Sequence, residues 1–129
     1  MAAIAGKGGS VKVGAGPSAV ALVKTWNLDP TMNTADISAL GVDYKSFIAT
    51  VYEWTVAVEC SFDMTDTNGQ LALQTAFLAG TPVAWRGMVN ASNYYGGNII
   101  ITSMPVAVVV DDAVTVSFNG QGTGALAYT

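Results

Sequence analysis

The chain has 129 residues, enough for one hydrophobic core but not two, and it is 51% hydrophobic and only 11% charged, where soluble domains average about a quarter charged. It has no histidine, which removes every imidazole base, relay or metal ligand, and its single cysteine excludes an internal disulfide. Its net charge is −4, and Lys7, Lys12, Lys24, Lys45 and Arg86 are too scattered to form the basic cluster that grips phosphate.

Residues 1–9 are rich in Gly and Ala without periodicity and are expected to form an N-terminal arm that orders only against a partner. Ser10 to Gly14 and Ser18 to Leu28 are β-like runs around the turn Gly14-Ala-Gly-Pro17, which predicts a hairpin. Asp29-Pro30 is expected to end the second run, because proline fixes φ and lacks an N–H, with Met32 to Ser38 resuming as a strand. Ala39 to Thr50 has no clear period and is expected to be a long ordered loop with room for one helical turn.

The clearest alternation runs from Val51 to Asp63. Tyr52, Trp54, Val56, Val58, Cys60 and Phe62 fall on a core face, and Glu53, Thr55, Ala57, Glu59, Ser61 and Asp63 on an acidic face. Thr65-Asp-Thr-Asn-Gly69 supplies capping residues for a helix at about 67–79, with Leu71, Ala72, Phe77 and Leu78 on its apolar face; Gly80-Thr-Pro82 stops it. Strands are expected again at Pro82 to Val89, Asn98 to Ser103, Val106 to Val110 and Ala113 to Asn119. The apolar stretch from Ile99 to Val110 is broken by Thr102, Ser103 and Pro105 and is too short to cross a bilayer; it predicts two buried strands and no membrane insertion. Gly120-Gln-Gly-Thr-Gly124 is too glycine-rich for a rigid strand centre, so residues 120–129 are expected to be a C-terminal arm. The fold class is therefore mainly β: one antiparallel β-sandwich or partial barrel over residues 10–119, with one flanking helix.

No catalytic, cofactor-binding or metal motif emerges. Gly6-Lys-Gly-Gly9 lacks the strand and Lys-Ser/Thr helix of a phosphate loop, and aligning Gly69 on the invariant glycine of a calcium loop puts Thr75 where a bidentate Glu belongs. Cys60 lies within an apolar alternation and is expected to be a core thiol. Glu53, Glu59 and Asp63 at even spacing describe a solvated sheet face rather than a catalytic pair. Trp85, Asn93, Tyr94 and Tyr95 leave open a second reading, a ligand-binding or adhesin-like β-sandwich with a sugar-stacking patch.

Several segments, in order and covering most of the chain, resemble the tail tube (major tail) proteins of tailed bacteriophages. They are Trp26-Asn-Leu-Asp29, Ala35-Asp-Ile-Ser-Ala-Leu-Gly41 with Tyr44-Lys-Ser-Phe47, Tyr52-Glu-Trp54 leading to Ser61-Phe-Asp63, and Thr65-Asp-Thr-Asn-Gly-Gln70. Ile101-Thr-Ser103, Val110-Asp-Asp-Ala-Val-Thr-Val-Ser-Phe118 and Gly122-Thr-Gly-Ala-Leu126 complete the set. The resemblance implies a non-enzymatic structural subunit that binds no cofactor and forms hexameric rings stacked into a tube, in which sheets join edge to edge as an inner β-barrel. It implies residence in the virion tail after synthesis in the bacterial host cytoplasm, with tape measure and tail terminator or tip proteins as further partners. Viral DNA would pass through an acidic lumen without specific binding, and Glu53, Glu59 and Asp63 are the candidates to line it. Lys7, Leu40, Tyr44, Phe47, Leu126 and Tyr128 are the candidates for contacts between subunits or rings.

Overall fold

Strand alternation governs most of the chain in the computed structural model, which describes residues 6–14, 16–41 and 43–129. After a 3-10 turn at Gly6–Gly8 come β1 (Ser10–Val13), β2 (Ser18–Ala19), the long β3 (Val23–Asp36) and β4 (Phe47–Ser61), and α1 (Gln70–Ala79). The chain then forms β5 (Val83–Met88), β6 (Tyr94–Ser103), the short β7 (Val106–Ala107) and β8 (Thr115–Tyr128). All pairings are antiparallel, in the order β2-β1-β5-β6-β8-β4-β3, and β7 continues the line of β6 beside the start of β8.

This single sheet folds over itself. Register shifts between Gly96 and Asn98 and between Ile101 and Ser103 mark where β6 and β8 bend, and bulges of this kind sharpen strand twist. The bend brings Trp85 of β5 against Trp26 of β3 and Trp54 of β4, with ring centroids 5.6 and 6.4 Å apart. Val11, Val13, Val58, Cys60, Ile99, Val116 and Phe118 fill the rest of the interior. The result is the mainly β, sandwich-like partial barrel expected, with one helix and with its first and last strands unjoined.

Several boundaries differ from expectation; the run expected from Ser18 to Leu28 is split into β2 and β3, and β6 begins at Tyr94 rather than Asn98. β3 runs unbroken through Pro30, which pairs with Trp54, because β3 is the sheet's last strand and a residue lacking an N–H is tolerated where one side has no partner. β4 begins at Phe47, so the expected loop from Ala39 to Thr50 shrinks to a hairpin tip closed by the Ile37 N–H donating to the Ser46 carbonyl at 2.8 Å. Residues 120–129 are not an arm: β8 continues to Tyr128 and pairs with β6 on both sides of the register shift at residues 124–126. Its glycines answer a packing demand, since a Cβ on Gly122 would collide with the Trp54 indole, whose Nε1 donates to the Gly124 carbonyl at 3.1 Å. Finally, Val106 to Val110 is not a buried strand. Only Val106 and Ala107 pair, and Val108, Val109 and Val110 stand exposed in the loop before β8.

The helix starts at Gln70 rather than near residue 67. Asp66 supplies the cap, as one carboxylate oxygen accepts from the Gln70 N–H at 3.1 Å and from the Ala21 N–H at 2.7 Å. Gly80 ends it at φ 69°, the left-handed region that glycine adopts without a Cβ clash, and Thr81 donates back to Ala76. The buried face is Gln70, Leu73 and Ala76 with Phe77 packed on the core; Leu78, expected on that face, points outward. Of the expected N-terminal arm, residues 1–5 lie outside the described residues, and the remainder is the turn at Gly6–Gly8.

Candidate interaction surfaces

The chemistry of the interior is inert. Cys60 is fully buried, and burial, then the charges of Asp66 and Glu59, pushes its thiol up to about 11, leaving it protonated at neutral pH. Among the described residues no group of His, Cys, Asp and Glu is arranged to hold a metal ion, and no helix is long and apolar enough to cross a membrane. The aromatic patch of the second reading does not exist as a platform. Trp85 is a core residue at 1% exposure, Tyr94 lies under the Arg86 guanidinium at 4.5 Å, and Tyr95 packs on Tyr128 at 4.8 Å. Asn93 is held through the Asn90 side chain and the Thr129 carbonyl.

Three surfaces remain. One is the outer face of β3, β4 and β8. Opposite the buried Trp54, Val56, Val58 and Cys60, this face carries Glu53, Thr55 and Glu59, flanked on β3 by Thr31, Asp29 and Thr25 and on β8 by Gln121 and Ser117. Asp29, Glu53 and Glu59 on this face are acidic and exposed, and exposed Lys24 lies at the β3 bulge beside Thr25. Lys12 and Arg86 pair with each other across β1 and β5, at the other end of the sheet. Asp63 does not belong to this face. It follows the end of β4, and its carboxylate is engaged by the Thr65 N–H and hydroxyl.

A second surface is the β3–β4 hairpin. The pairing of β8 with β4 stops at Thr55, so beyond that point the two strands run on as a lone ribbon to the tip at 37–46. Its apolar residues have nothing among the described residues to cover them: Leu40 is 103% exposed, Tyr44 87% and Phe47 55%, with Met32, Ile48, Val51 and Tyr52 also exposed. Tyr52 thus keeps the phase of the core face without joining the core, and at the far end Phe62 does the same. Two-stranded ribbons are marginal in water on their own, and an exposed apolar one marks a contact site. Leu40, Tyr44 and Phe47 are brought together here.

The third surface is the open seam of the sandwich, a cleft lined by Lys7, Lys24, Trp26, Met88, Tyr95 and Tyr128. It gathers Lys7 and Tyr128. Leu126 is instead packed, half-buried, against the core, so it is a structural residue rather than a free contact. Sequence reasoning missed Leu22, Phe62 and Val108 to Val110, all exposed. The one available signal was that Val108 to Val110 runs directly into Asp111-Asp112.

The family model for phage tail tube proteins matches residues 19–128. A comparison with curated proteins by sequence finds no match. Among solved structures, the chain is similar to one from the virion of a native gene transfer agent particle, with a TM-score of 0.86 at 17% identity, covering 98% of this chain and 99% of that one. The tail of an empty gene transfer agent particle, refined with C6 helical symmetry, matches with the same TM-score, identity and coverage. The SPP1 tail tube matches with a TM-score of 0.82 at 14% identity, covering 98% of this chain and 79% of that chain.

Proposed function

This chain belongs to the phage tail tube protein family, and from that premise we propose that six copies close into a ring and that rings stack head to tail into a hollow tube through which DNA passes. The observation that carries the reading is the β3–β4 hairpin, which projects a row of uncovered apolar side chains beyond the body of the fold. A monomer gains nothing from such a ribbon. A polymer buries it, and the unpaired outer edges of β2 and β3 likewise find partners only when neighbouring sheets join and the ring closes. The sixfold symmetry of the gene transfer agent tail, a similar fold, supports the number six.

The same reading gives the charge distribution a role. With β3, β4 and β8 turned inward, Glu53 and Glu59, joined by Asp29, present a mainly acidic wall with Lys24 at the β3 bulge by its rim, and such a wall repels phosphate so that DNA slides without adhering. Lys7, Leu40, Tyr44, Phe47 and Tyr128 then contact neighbouring subunits or rings. The role is structural rather than catalytic. Tape measure and terminator or tip proteins meet the ends of the tube, and the subunit is made in the host cytoplasm before joining the virion.

Electron microscopy of the purified protein over rising concentration tests this. Hollow tubes with sixfold end views are expected, and a small discrete particle at every concentration would remove the proposal in favour of a monomeric binding module.

A further inference from the structure

We propose, resting on the ring reading above, that the turn between β7 and β8, Val108 to Asp112, seats in the cleft beside β3 of a second copy of this chain, so that each subunit reaches sideways into the next.

The two surfaces lie at opposite margins of one sheet and at the same level. Val106 of β7 pairs with Val116 of β8, Val116 with Cys60 of β4, and Cys60 with Val23 of β3. That row of four residues spans about 14 Å. The turn begins two residues beyond Val106, and Val23 lines the cleft. A contact between unlike margins at one level passes sideways from copy to copy, and a constant rotation closes it into a ring.

Shape and polarity agree. The Asp112 N–H donates to the Val109 carbonyl at 3.2 Å, which fixes a turn with Val110 and Asp111 at its apex. Val108 is 75% exposed and Val110 97%. The cleft is a hollow of about 800 Å³ with apolar walls from Trp26, Met88 and the stacked Tyr95 and Tyr128. That is the size of sites that enclose a small ligand, so several side chains fit within it.

Charge selects the occupant. Lys7 and Lys24 line the cleft with no acid among the other lining residues, while Glu59, opposite Thr25, and Asp29 stand on the outer face of the sheet. The turn carries Asp111 and Asp112, both exposed, and no cation lies between Met104 and Phe118. Turn against turn would gather four carboxylates and cleft against cleft four ammonium groups, so only the unlike pairing sets two charges against two. The hairpin tip offsets Asp36 and Asp43 with Lys45, whereas the turn offsets neither aspartate. Residues 1–5, which precede Gly6 at the cleft, hold no acid to meet the lysines.

The test uses full-length protein with Cys60 in place, since that thiol is buried. Copies carrying both Val110→Cys and Asn27→Cys, or Val110→Cys and Tyr128→Cys, are assembled and oxidised, with Val110→Cys and Thr55→Cys as the control. A disulfide-linked ladder ending at six is expected from at least one cleft position and not from Thr55; normal tubes with no link to either cleft position overturn the proposal. Deleting residues 2–5 is expected to leave that link unchanged, and a link that forms only after the deletion would assign the cleft to the chain's own start. Independently, Asp111→Lys with Asp112→Lys is expected to lower the yield of sedimentable tubes about tenfold without moving the urea midpoint, and adding Lys7→Glu with Lys24→Glu to restore it. A fourfold variant that assembles no better than the double one overturns the charge pairing. If the unmodified protein itself forms neither rings nor tubes, the ring reading fails first, so the two failures are told apart.

Discussion

Gln70 holds the helix to the sheet, and replacing it with leucine isolates that attachment. The side chain is fully buried; its Nε2 donates to the Ala21 carbonyl at 2.7 Å and the Ser61 carbonyl at 2.9 Å, and its Oε1 accepts the Asp63 N–H at 2.9 Å. One amide therefore joins the first residue of α1 to the turn before β3 and to the end of β4. Gln70→Leu keeps the volume and strands three backbone groups, each costing about 1 kcal/mol or more when left unpaired, for a loss of roughly 3 kcal/mol. For a domain of this size that lowers the melting temperature by about 10 °C. Gln70→Glu retains the acceptor but loses both donations and buries a carboxylate among carbonyls, so it is expected to be at least as damaging. Urea unfolding of dilute subunits, followed by tryptophan fluorescence because Trp26, Trp54 and Trp85 meet in the interior, measures both. A loss below about 1 kcal/mol for Gln70→Leu would refute the assignment of Gln70 as the joint.

Gly122→Ala forces a methyl group into the Trp54 ring and is expected to destabilise by about 2 kcal/mol; a change within 0.5 kcal/mol of zero would mean that residues 120–129 are the dispensable arm after all. Leu40→Ser with Tyr44→Ser removes side chains that touch little in the subunit, so tube yield is expected to collapse while the urea midpoint stays put, and a matching fall in both would contradict an assembly role. Glu53→Lys with Glu59→Lys is expected to leave tubes intact but slow DNA release, read as delayed genome ejection; unaltered kinetics argue for an outer-surface position. The Cys60 thiol has a folded pKa raised from 9.0 to about 11, so the neutral form is the one that folding favours. Its contribution is complete below pH 9 and disappears as pH rises through 11, and wild-type and Cys60→Ala alkaline unfolding curves should diverge from each other across that window. Parallel curves there would be inconsistent with it.

The fold class was written in local pattern. Alternation from Trp54 to Cys60 sets one face toward the core, Gly80 stops a helix that Asp66 starts, and the absence of histidine and of any basic cluster limits the chemistry. Leu40, Tyr44 and Phe47 lay in a stretch without a period that was expected to be a long loop, and the structure leaves all three exposed on the hairpin. Limits of the same logic appear at Tyr52 and Phe62, which keep the phase of the core face and yet stand exposed.

What the sequence by itself determined is which side of each strand an apolar residue occupies, since side chains alternate whatever the neighbours do. Only the tertiary structure decided whether another layer lies over that side. Pro30 is tolerated because β3 ended up at the edge, Gly122 is required because Trp54 ended up over β8, and Val108 to Val110 are uncovered because pairing stopped at Ala107. Burial depends on contacts between residues distant along the chain, and no local period encodes where those contacts end.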